Sequence, residues 1–250
     1  MPATLPKFLL VTPVWNDSVR LEHFGIELAK VLAVSDLNIT WVIADDGSDT
    51  EEVVQLERLK EKFSQIYSDV LLHLHPERSF KGGAIYQSWQ QFPDVDYYAF
   101  VDADGAVSAP ELMRMLNCAS DSENLDMSFV AVRHFSGSLT VDRSLLRKAT
   151  FHFFRILVRG IVGLKSMDTQ CGAKVISGRS YRAVSERLVE DGFVFDVELL
   201  TTLEQGAWPI TELPIMWQEI PGSKLRLWRD LWFMTRGLMR IRRRLNTSDL

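Results

Sequence analysis

The run YYAFVDADGAVS, Tyr97 to Ser108, ends a series of bulky apolar residues on two carboxylates. Tyr97, Tyr98, Phe100 and Val101 read as a buried strand, and Asp102 and Asp104 follow one residue apart, just ahead of Gly105. Side chains at i and i+2 of an extended chain point to the same side. Two anions held that close repel unless a cation lies between them. A hard ion such as Mg²⁺ or Mn²⁺ takes one or two carboxylates and fills its shell with phosphate oxygens. That is the chemistry of a nucleotide diphosphate leaving group. A second acidic run, ADDGSDT at 44–50, closes another apolar stretch. Alone it reads equally as a turn, with Asp49 capping the next helix, or as a ligand site in which Asp46 accepts from a ribose or base.

These acids need a scaffold that brings strand ends together. KFLLVTPVW, NITWVIADDGS, DVLLHLHP, DYYAFVDAD and MSFVAVR read as five strands. Between them lie helical patterns: RLEHFGIELAKVLAV, Glu51 to Tyr67, KGGAIYQSWQQF, and APELMRMLNCAS with Pro110 in its first turn. The alternation predicts an α/β fold, with a mainly parallel central sheet flanked by helices. Ligands in such sheets bind at the carboxyl ends of the strands, where Asn16, Asp17, Asp45, Asp46, Asp102 and Asp104 collect. After Arg133 the pattern changes. VDRSLLRKATFHFFRILVRGIVGL reads as a long helix, CGAKVISG as a strand, FVFDVELLTTLEQG as a helix and PITELPIMWQEI as extended. The last segment, KLRLWRDLWFMTRGLMRIRRRL, reads as an amphipathic helix with Trp228, Leu231, Trp232, Leu238 and Met239 on one face.

The chain has 250 residues, enough for one domain with a sizeable core, and is 46% apolar. The net charge of -5 hides two basic segments. Residues 133–165 carry seven Lys/Arg against one acid, and residues 222–245 carry eight against one. Basic segments on an acidic body point to a localised anionic partner. The arginines come with no nucleic-acid recognition motif, so nucleic acid is not expected as a partner. The N-terminus turns polar at Asn16 and Asp17 too soon for a signal peptide. No run reaches the roughly 18 to 20 apolar residues of a membrane span. Cys118 and Cys171 are too few for a zinc site or disulfide framework, which points to a reducing cytoplasm. His73, His75 and His134 share no ligand spacing that includes Asp102. Neither G-x-G-x-x-G nor G-x-x-x-x-G-K-[ST] occurs, which argues against a dehydrogenase or a P-loop NTPase.

The order TPVWND, ADDGSDT, KGGA, VDADG resembles the family 2 glycosyltransferases with a GT-A-type fold. VRHFSGS, DTQCGAKVI, FVFDVELL and WQEIPGSKLR look like the polyprenyl-phosphate sugar transferases. The closest branch is that of the dolichyl-phosphate β-glucosyltransferases, with the dolichyl-phosphate mannose synthases as cousins. The resemblance implies a transferase domain over 1–221, with a nucleotide-sugar half at 1–132 and an acceptor half at 133–221, and a basic amphipathic tail at 222–250. It implies that Pro13, Asn16 and Asp17 line the nucleotide pocket, that Asp46 meets base or ribose, and that Lys81 sits near the donor. Asp102 and Asp104 would bind the metal–diphosphate, with Mg²⁺ or Mn²⁺ as cofactor. Gln170 and Asp196 would lie near the sugar. Arg133 and Lys224 would contact donor phosphates or the acceptor phosphate, with Arg143 joining them in positioning the acceptor, and Asp104, Asp196, Arg133 and Lys224 form the expected catalytic set. Two positions depart from the pattern: Ala173 stands where the family has an aromatic, and Phe193 where it has Trp or Arg. The membrane anchors of some members are not expected here.

The family implies an inverting displacement at the anomeric carbon. A lipid phosphate is already largely ionised, because second phosphate pKa values are about 6. It needs positioning by cations, whereas a sugar hydroxyl needs a general base, for which Asp196 is the candidate. The expected donor is UDP-glucose or GDP-mannose, and the expected acceptor a polyprenyl phosphate. The expected place is the cytoplasmic face of an anionic membrane, where the basic amphipathic helices would lie at the interface; Phe151, Phe153, Phe154 and Trp228 could instead pack into the core or a homo-oligomer interface. Two other readings stand beside it: a transferase with a soluble saccharide acceptor, and a nucleotide-sugar-binding protein without turnover.

Overall fold

The computed structural model describes residues 5–134, 145–166, 168–218, 220 and 227–247. The apolar run after Pro6 becomes β1 (Lys7–Val14), buried along nearly its whole length as a central strand must be. It leads into α1 (Ser18–Ala33), which buries Leu21, Phe24, Leu28 and Leu32 at helical spacing. β2 (Asn38–Asp45), α2 (Thr50–Ser64), β3 (Val70–Leu74), α3 (Phe80–Gln90) and β4 (Tyr97–Val101) follow in strict alternation. α4 (Ala109–Ser120) starts as its sequence predicts, with Pro110 in the first turn and the Ser108 hydroxyl accepting from Glu111 N. Then come β5 (Ser128–His134), α5 (Leu145–Val162), β6 (Ala173–Ser177), α6 (Gly178–Val184), α7 (Phe195–Gln205), β7 (Ile210–Met216) and α8 (Leu227–Thr247).

The seven strands form one sheet in the order β3-β2-β1-β4-β6-β5-β7. All are parallel except β6, which runs antiparallel to both β4 and β5. The mainly parallel α/β sheet is therefore as expected, with one reversed strand at its centre. That reversal matters for the site. The β4–β6 register sets Phe100 opposite Lys174 and Val101 opposite Ala173, so Gly172 enters β6 beside Asp102 as it leaves β4.

Three apolar clusters hold the layers. One packs α1, α2 and α4 on one sheet face through Leu21, Phe24, Phe63, Leu112 and Leu116. A second packs α3, α6 and α7 on the other through Ile85, Trp89, Tyr181, Phe195 and Leu199. The third joins α5, α7 and α8 through Phe154, Val158, Val197, Leu200, Leu238 and Ile241.

The last cluster divides the five residues expected on one apolar face of α8. Leu238 is fully buried, in line with Ile241 and Leu245 one and two turns on. Trp232 and Met239 lie on the other side, 59% and 45% exposed, with Phe233 at 55%. The side chains of Trp228 and Leu231 lie outside the described residues. At about 100° per residue, Trp232 and Met239 share a face that Leu238 does not. The helix thus carries two apolar stripes, one given to the core and one to solvent. Leu238→Ala should cost about 2 to 5 kcal/mol of unfolding free energy, against roughly 0.5 kcal/mol or less for Trp232→Ala. Chemical denaturation of both variants checks this, and equal losses would refute the two-faced helix.

Candidate active site

The carboxyl ends of β1, β2 and β4 open into a cavity of about 240 Å³. Pro13, Asp17, Asp46, Lys81, Asp102 and Asp104 line it, as the sequence suggested. Trp15, Arg20, Arg78, Phe80 and Phe193 complete much of its wall. Asn16, Gln170, Arg133 and Asp196 lie outside that lining, and Arg143 and Lys224 lie outside the described residues.

Asp102 and Asp104 each face a cation of the chain. Lys81 Nζ lies 2.6 Å from Asp102 Oδ1, and Arg20 Nη1 lies 3.6 Å from Asp104 Oδ2. Burial pushes the Asp104 carboxyl above the usual range, and the neighbouring Asp102 charge adds to the rise. Burial opposes the charge on Lys81, but Asp102, Asp196 and Asp104 together outweigh it and raise its ammonium pKa. Lys81 also sits over the ring of Phe100, 4.9 Å from its centroid. Asp102 is reached through a close backbone approach: its N–H donates to Gly172 O at 2.9 Å. A Cβ on Gly172 would lie 2.4 Å from Asp102 Oδ2, so only glycine leaves that carboxylate in place.

The donor set fits a hard divalent ion. Two adjacent carboxylates already gather positive charge, and Mg²⁺ or Mn²⁺ characteristically completes such a partial set with phosphate oxygens. Among the described residues no group of three or more His, Cys, Asp or Glu forms a self-sufficient cage. A metal here would therefore share its shell with a ligand.

The other wall suits a nucleoside. Asp46 is nearly buried, and its Oδ1 accepts from Ser79 N at 2.6 Å and Ser79 Oγ at 3.2 Å. Burial raises its pKa, and the Ser79 bonds oppose the rise. The Arg78 guanidinium stacks 3.4 Å from the Trp15 ring centroid and 5.0 Å from that of Phe80, with Nε 3.8 Å from Asp46 Oδ2. Phe80 takes a left-handed φ of 59° and Asn16 one of 47°, an uncommon conformation for non-glycine residues that concentrates at functional sites. Asn16 is a hinge of the β1–α1 turn, bonding Ser48 Oγ and Asp49. Asp17 is held by the guanidinium of Arg20 through Nε, at 2.9 Å, and Nη2.

Of the remaining predicted residues, Asp196 and Arg133 form shielded pairs behind the cavity. Lys174, fully buried on β6, contacts Asp196 Oδ1 at 2.7 Å and donates to Cys171 O at 3.1 Å. Burial raises the Asp196 pKa, against the pull of Lys174 and Lys81. Arg133 is clasped by Asp168, Nε to Oδ2 at 2.6 Å and Nη2 to Oδ1 at 2.7 Å. Gln170 donates to Phe193 O at 3.2 Å, which supports the cavity rim. Burial pushes the Cys171 thiol up to about 12, so it is a packing residue rather than a nucleophile. Sequence reasoning missed Arg20, Arg78, Asp168 and Lys174 as members of this arrangement. Gly172→Ala should reduce activity at this site roughly a hundredfold by displacing Asp102, with circular dichroism unchanged; undiminished activity would refute the close-approach argument.

Three comparisons bear on this geometry. A family profile described as Glycosyl transferase family 2 matches residues 10–182. The dolichyl-phosphate beta-glucosyltransferases of Saccharomyces cerevisiae and Dictyostelium discoideum are each 31% identical to the chain, over 248 and 243 residues, covering 93% of this chain and 73% of the relative. Among solved structures, glucosyl-3-phosphoglycerate synthase from Mycobacterium tuberculosis, in complex with Mn²⁺, UDP-glucose and phosphoglyceric acid, superposes with a TM-score of 0.63 at 15% identity. That match covers 94% of this chain and 78% of the other, a likeness of fold.

Proposed function

The chain belongs to glycosyl transferase family 2, and from that premise we propose that it moves glucose from UDP-glucose to the phosphate of a polyprenyl lipid at a membrane surface. The observation that carries this reading is the pairing of Asp102 and Asp104 with Lys81 and Arg20 in one cavity whose opposite wall is Trp15, Arg78 and Asp46. It offers acids and cations for a diphosphate at one end and a stacking, hydrogen-bonding wall for a nucleoside at the other. The names of the relatives support glucose and a dolichyl-type phosphate as the transferred sugar and its acceptor.

The reaction is a displacement that inverts the anomeric carbon. The bond from that carbon to the donor's β-phosphate oxygen breaks, the diphosphate leaves with the electron pair, and an oxygen of the lipid phosphate forms the new bond. A divalent ion held by Asp102 and Asp104 would neutralise the departing diphosphate. Lys81 is placed to bind the same phosphates, and Asp46 and Arg78 to orient the nucleoside. No proton has to be removed from an ionised phosphate acceptor. The placement of Asp196 agrees with this: it is buried outside the cavity lining and paired with Lys174, out of reach of the hydroxyl that a general base would have to deprotonate. Its role here is to neutralise Lys174, not to accept a proton. Arg133, fixed by Asp168, and Lys224 are assigned to the acceptor phosphate.

The membrane part of the proposal rests on α8. Trp232, Phe233 and Met239 are exposed, and Arg236 lies 5.2 Å from the Trp232 ring centroid. An apolar stripe flanked by arginines fits the interface of an anionic bilayer, each cation adding about 1 kcal/mol near the surface. No described helix is long and apolar enough to cross a membrane. Free Cys118 and Cys171 accord with the cytoplasmic face.

Two experiments test the reading. UDP-glucose, GDP-mannose and UDP-GlcNAc are each incubated with Mn²⁺ or Mg²⁺, with and without a short polyprenyl phosphate. Release of UDP from UDP-glucose only when the lipid is present is expected, reduced about a hundredfold or more in Asp104→Asn. Lipid-independent release would move the acceptor to a soluble molecule. Separately, Trp232→Glu with Phe233→Glu should abolish cosedimentation with phosphatidylserine vesicles while leaving the melting temperature near that of wild type. Unchanged cosedimentation would remove α8 from the membrane.

A further inference from the structure

The rim of the cavity belongs to the segment between α6 and α7, beyond the residues that the family profile matches. Gly192 and Phe193 line the cavity. One residue earlier, Asp191 O accepts from Gly82 N at 2.7 Å and Gly83 N at 3.3 Å. Those amides follow Lys81 directly, so the rim and the first turn of α3 move together.

What fixes the rim is a charge cluster: two buried carboxylates, Glu190 and Glu198, bound by Arg240 and Arg244, whose side chains are 56% and 35% exposed. The Val189 and Glu190 amides donate to Glu198 Oε2 at 2.8 and 2.6 Å. The Glu190 carboxylate, 5% exposed, turns away from the cavity toward α8. Its Oε1 accepts from Arg240 Nε at 2.9 Å and Arg244 Nη2 at 2.8 Å, and its Oε2 from Arg240 Nη2 at 2.5 Å. Arg244 Nη2 also reaches Glu198 Oε1 at 2.6 Å. α8 touches the same segment a second time through packing. Gly237 is buried against Val194, where an added Cβ would lie 2.4 Å from Val194 Cγ2.

We propose that Glu190 is a positioning residue for the donor site and that α8, through Arg240 and Arg244, sets where the rim and Lys81 stand. The C-terminal helix is then part of the donor-binding apparatus, acting from behind a cavity it does not line. A carboxylate with two guanidiniums is directional and holds a short loop more tightly than apolar contact alone. A glycine at the helix–loop contact lets the two backbones meet without an intervening side chain. The inference rests on the reading of the cavity as a nucleotide-donor site.

The test uses the full chain, with UDP binding in Mn²⁺ measured by calorimetry and donor KM and kcat measured separately. Arg240→Ala removes one partner of Glu190 while Arg244 still compensates both Glu190 and Glu198, so the fold is retained. Gly237→Ala pushes α8 off Val194 without touching a charge. Both are expected to raise the UDP Kd and the donor KM roughly tenfold, with kcat changed far less, at temperatures well below melting. Arg240→Lys should recover part of the affinity. Lower melting temperatures with wild-type UDP affinity in both variants would overturn the proposal and leave the cluster a purely structural one. A wild-type chain that binds no UDP, with or without Mn²⁺, would remove the donor reading and this inference with it.

Discussion

Carboxylates taken out of water must meet a cation or a hydrogen-bond donor, and their pairing with cations organises this molecule from the central strands to the last helix. The problem is sharpest on α7. Phe195 through Leu203 are all buried, because the helix packs α3 and α6 on one side and α5 and α8 on the other. A helix covered all round should be apolar all round, yet it carries Asp196 and Glu198. Each is matched by a basic residue from elsewhere in sequence, Lys174 from β6 and Arg244 from α8. Removing one partner of a buried pair typically costs about 3 to 5 kcal/mol, because the other charge is left uncompensated. The position of α7 is thereby tied to the reversed strand and to the C-terminal helix at once.

This pairing explains why β6 sits where it does. Inserted antiparallel between β4 and β5, it delivers Gly172 to Asp102 and Lys174 to the back of Phe100. Lys81 approaches the same ring from α3, so two ammonium groups flank Phe100, at 4.9 and 5.1 Å from its centroid. Lys81 turns to Asp102 and Lys174 to Asp196. The two ion pairs, one at the cavity and one in the interior, are neighbours at this ring, and Lys81 acts on Asp196 as well as on Asp102.

Much of this was legible in sequence, and what was not has a common cause. Strands ending in acids, such as NITWVIADD and YYAFVDAD, announce themselves locally, since apolar runs and their terminal polar residues are neighbours in the chain. The mainly parallel sheet and the cavity acids Asp17, Asp46, Asp102 and Asp104 followed from that, whereas Pro13 and Lys81 came from the family resemblance. The reversal of β6 did not, because nothing within CGAKVISG records the direction of its partners. Arg20 and Lys174 acquire their roles from acids 84 and 22 positions away, and a lone basic residue on a helix or strand carries no mark of that. Arg78 is similar: its neighbours Ser79 and Phe80 look like ordinary loop residues until the left-handed turn at Phe80 brings the guanidinium onto Trp15. For α8 the period was read correctly but the stripe was not. Two apolar faces 120° apart merge when residues are grouped by type instead of angle.

The ion pairs fall into two kinds, and the distinction locates the chemistry. Lys174–Asp196 and Arg133–Asp168 are shielded, with acid side chains 5% and 3% exposed. Lys81–Asp102 and Arg20–Asp104 stand open, their side chains between 24% and 34% exposed. Pairs that water still reaches are worth less than fully shielded ones, so a ligand can exchange them at smaller cost. Shielded pairs cannot be exchanged without stranding a charge. On the proposed reading, an incoming diphosphate with its cation would meet two carboxylates and two basic groups that water already reaches, in a frame held by shielded pairs. On that reading re-partnering at the open pairs would supply affinity, while the shielded Lys174–Asp196 and Arg133–Asp168 pairs hold the strands behind the cavity. Placing weak pairs at the cavity and strong ones behind it is what allows one sheet to be rigid and receptive at the same strand ends.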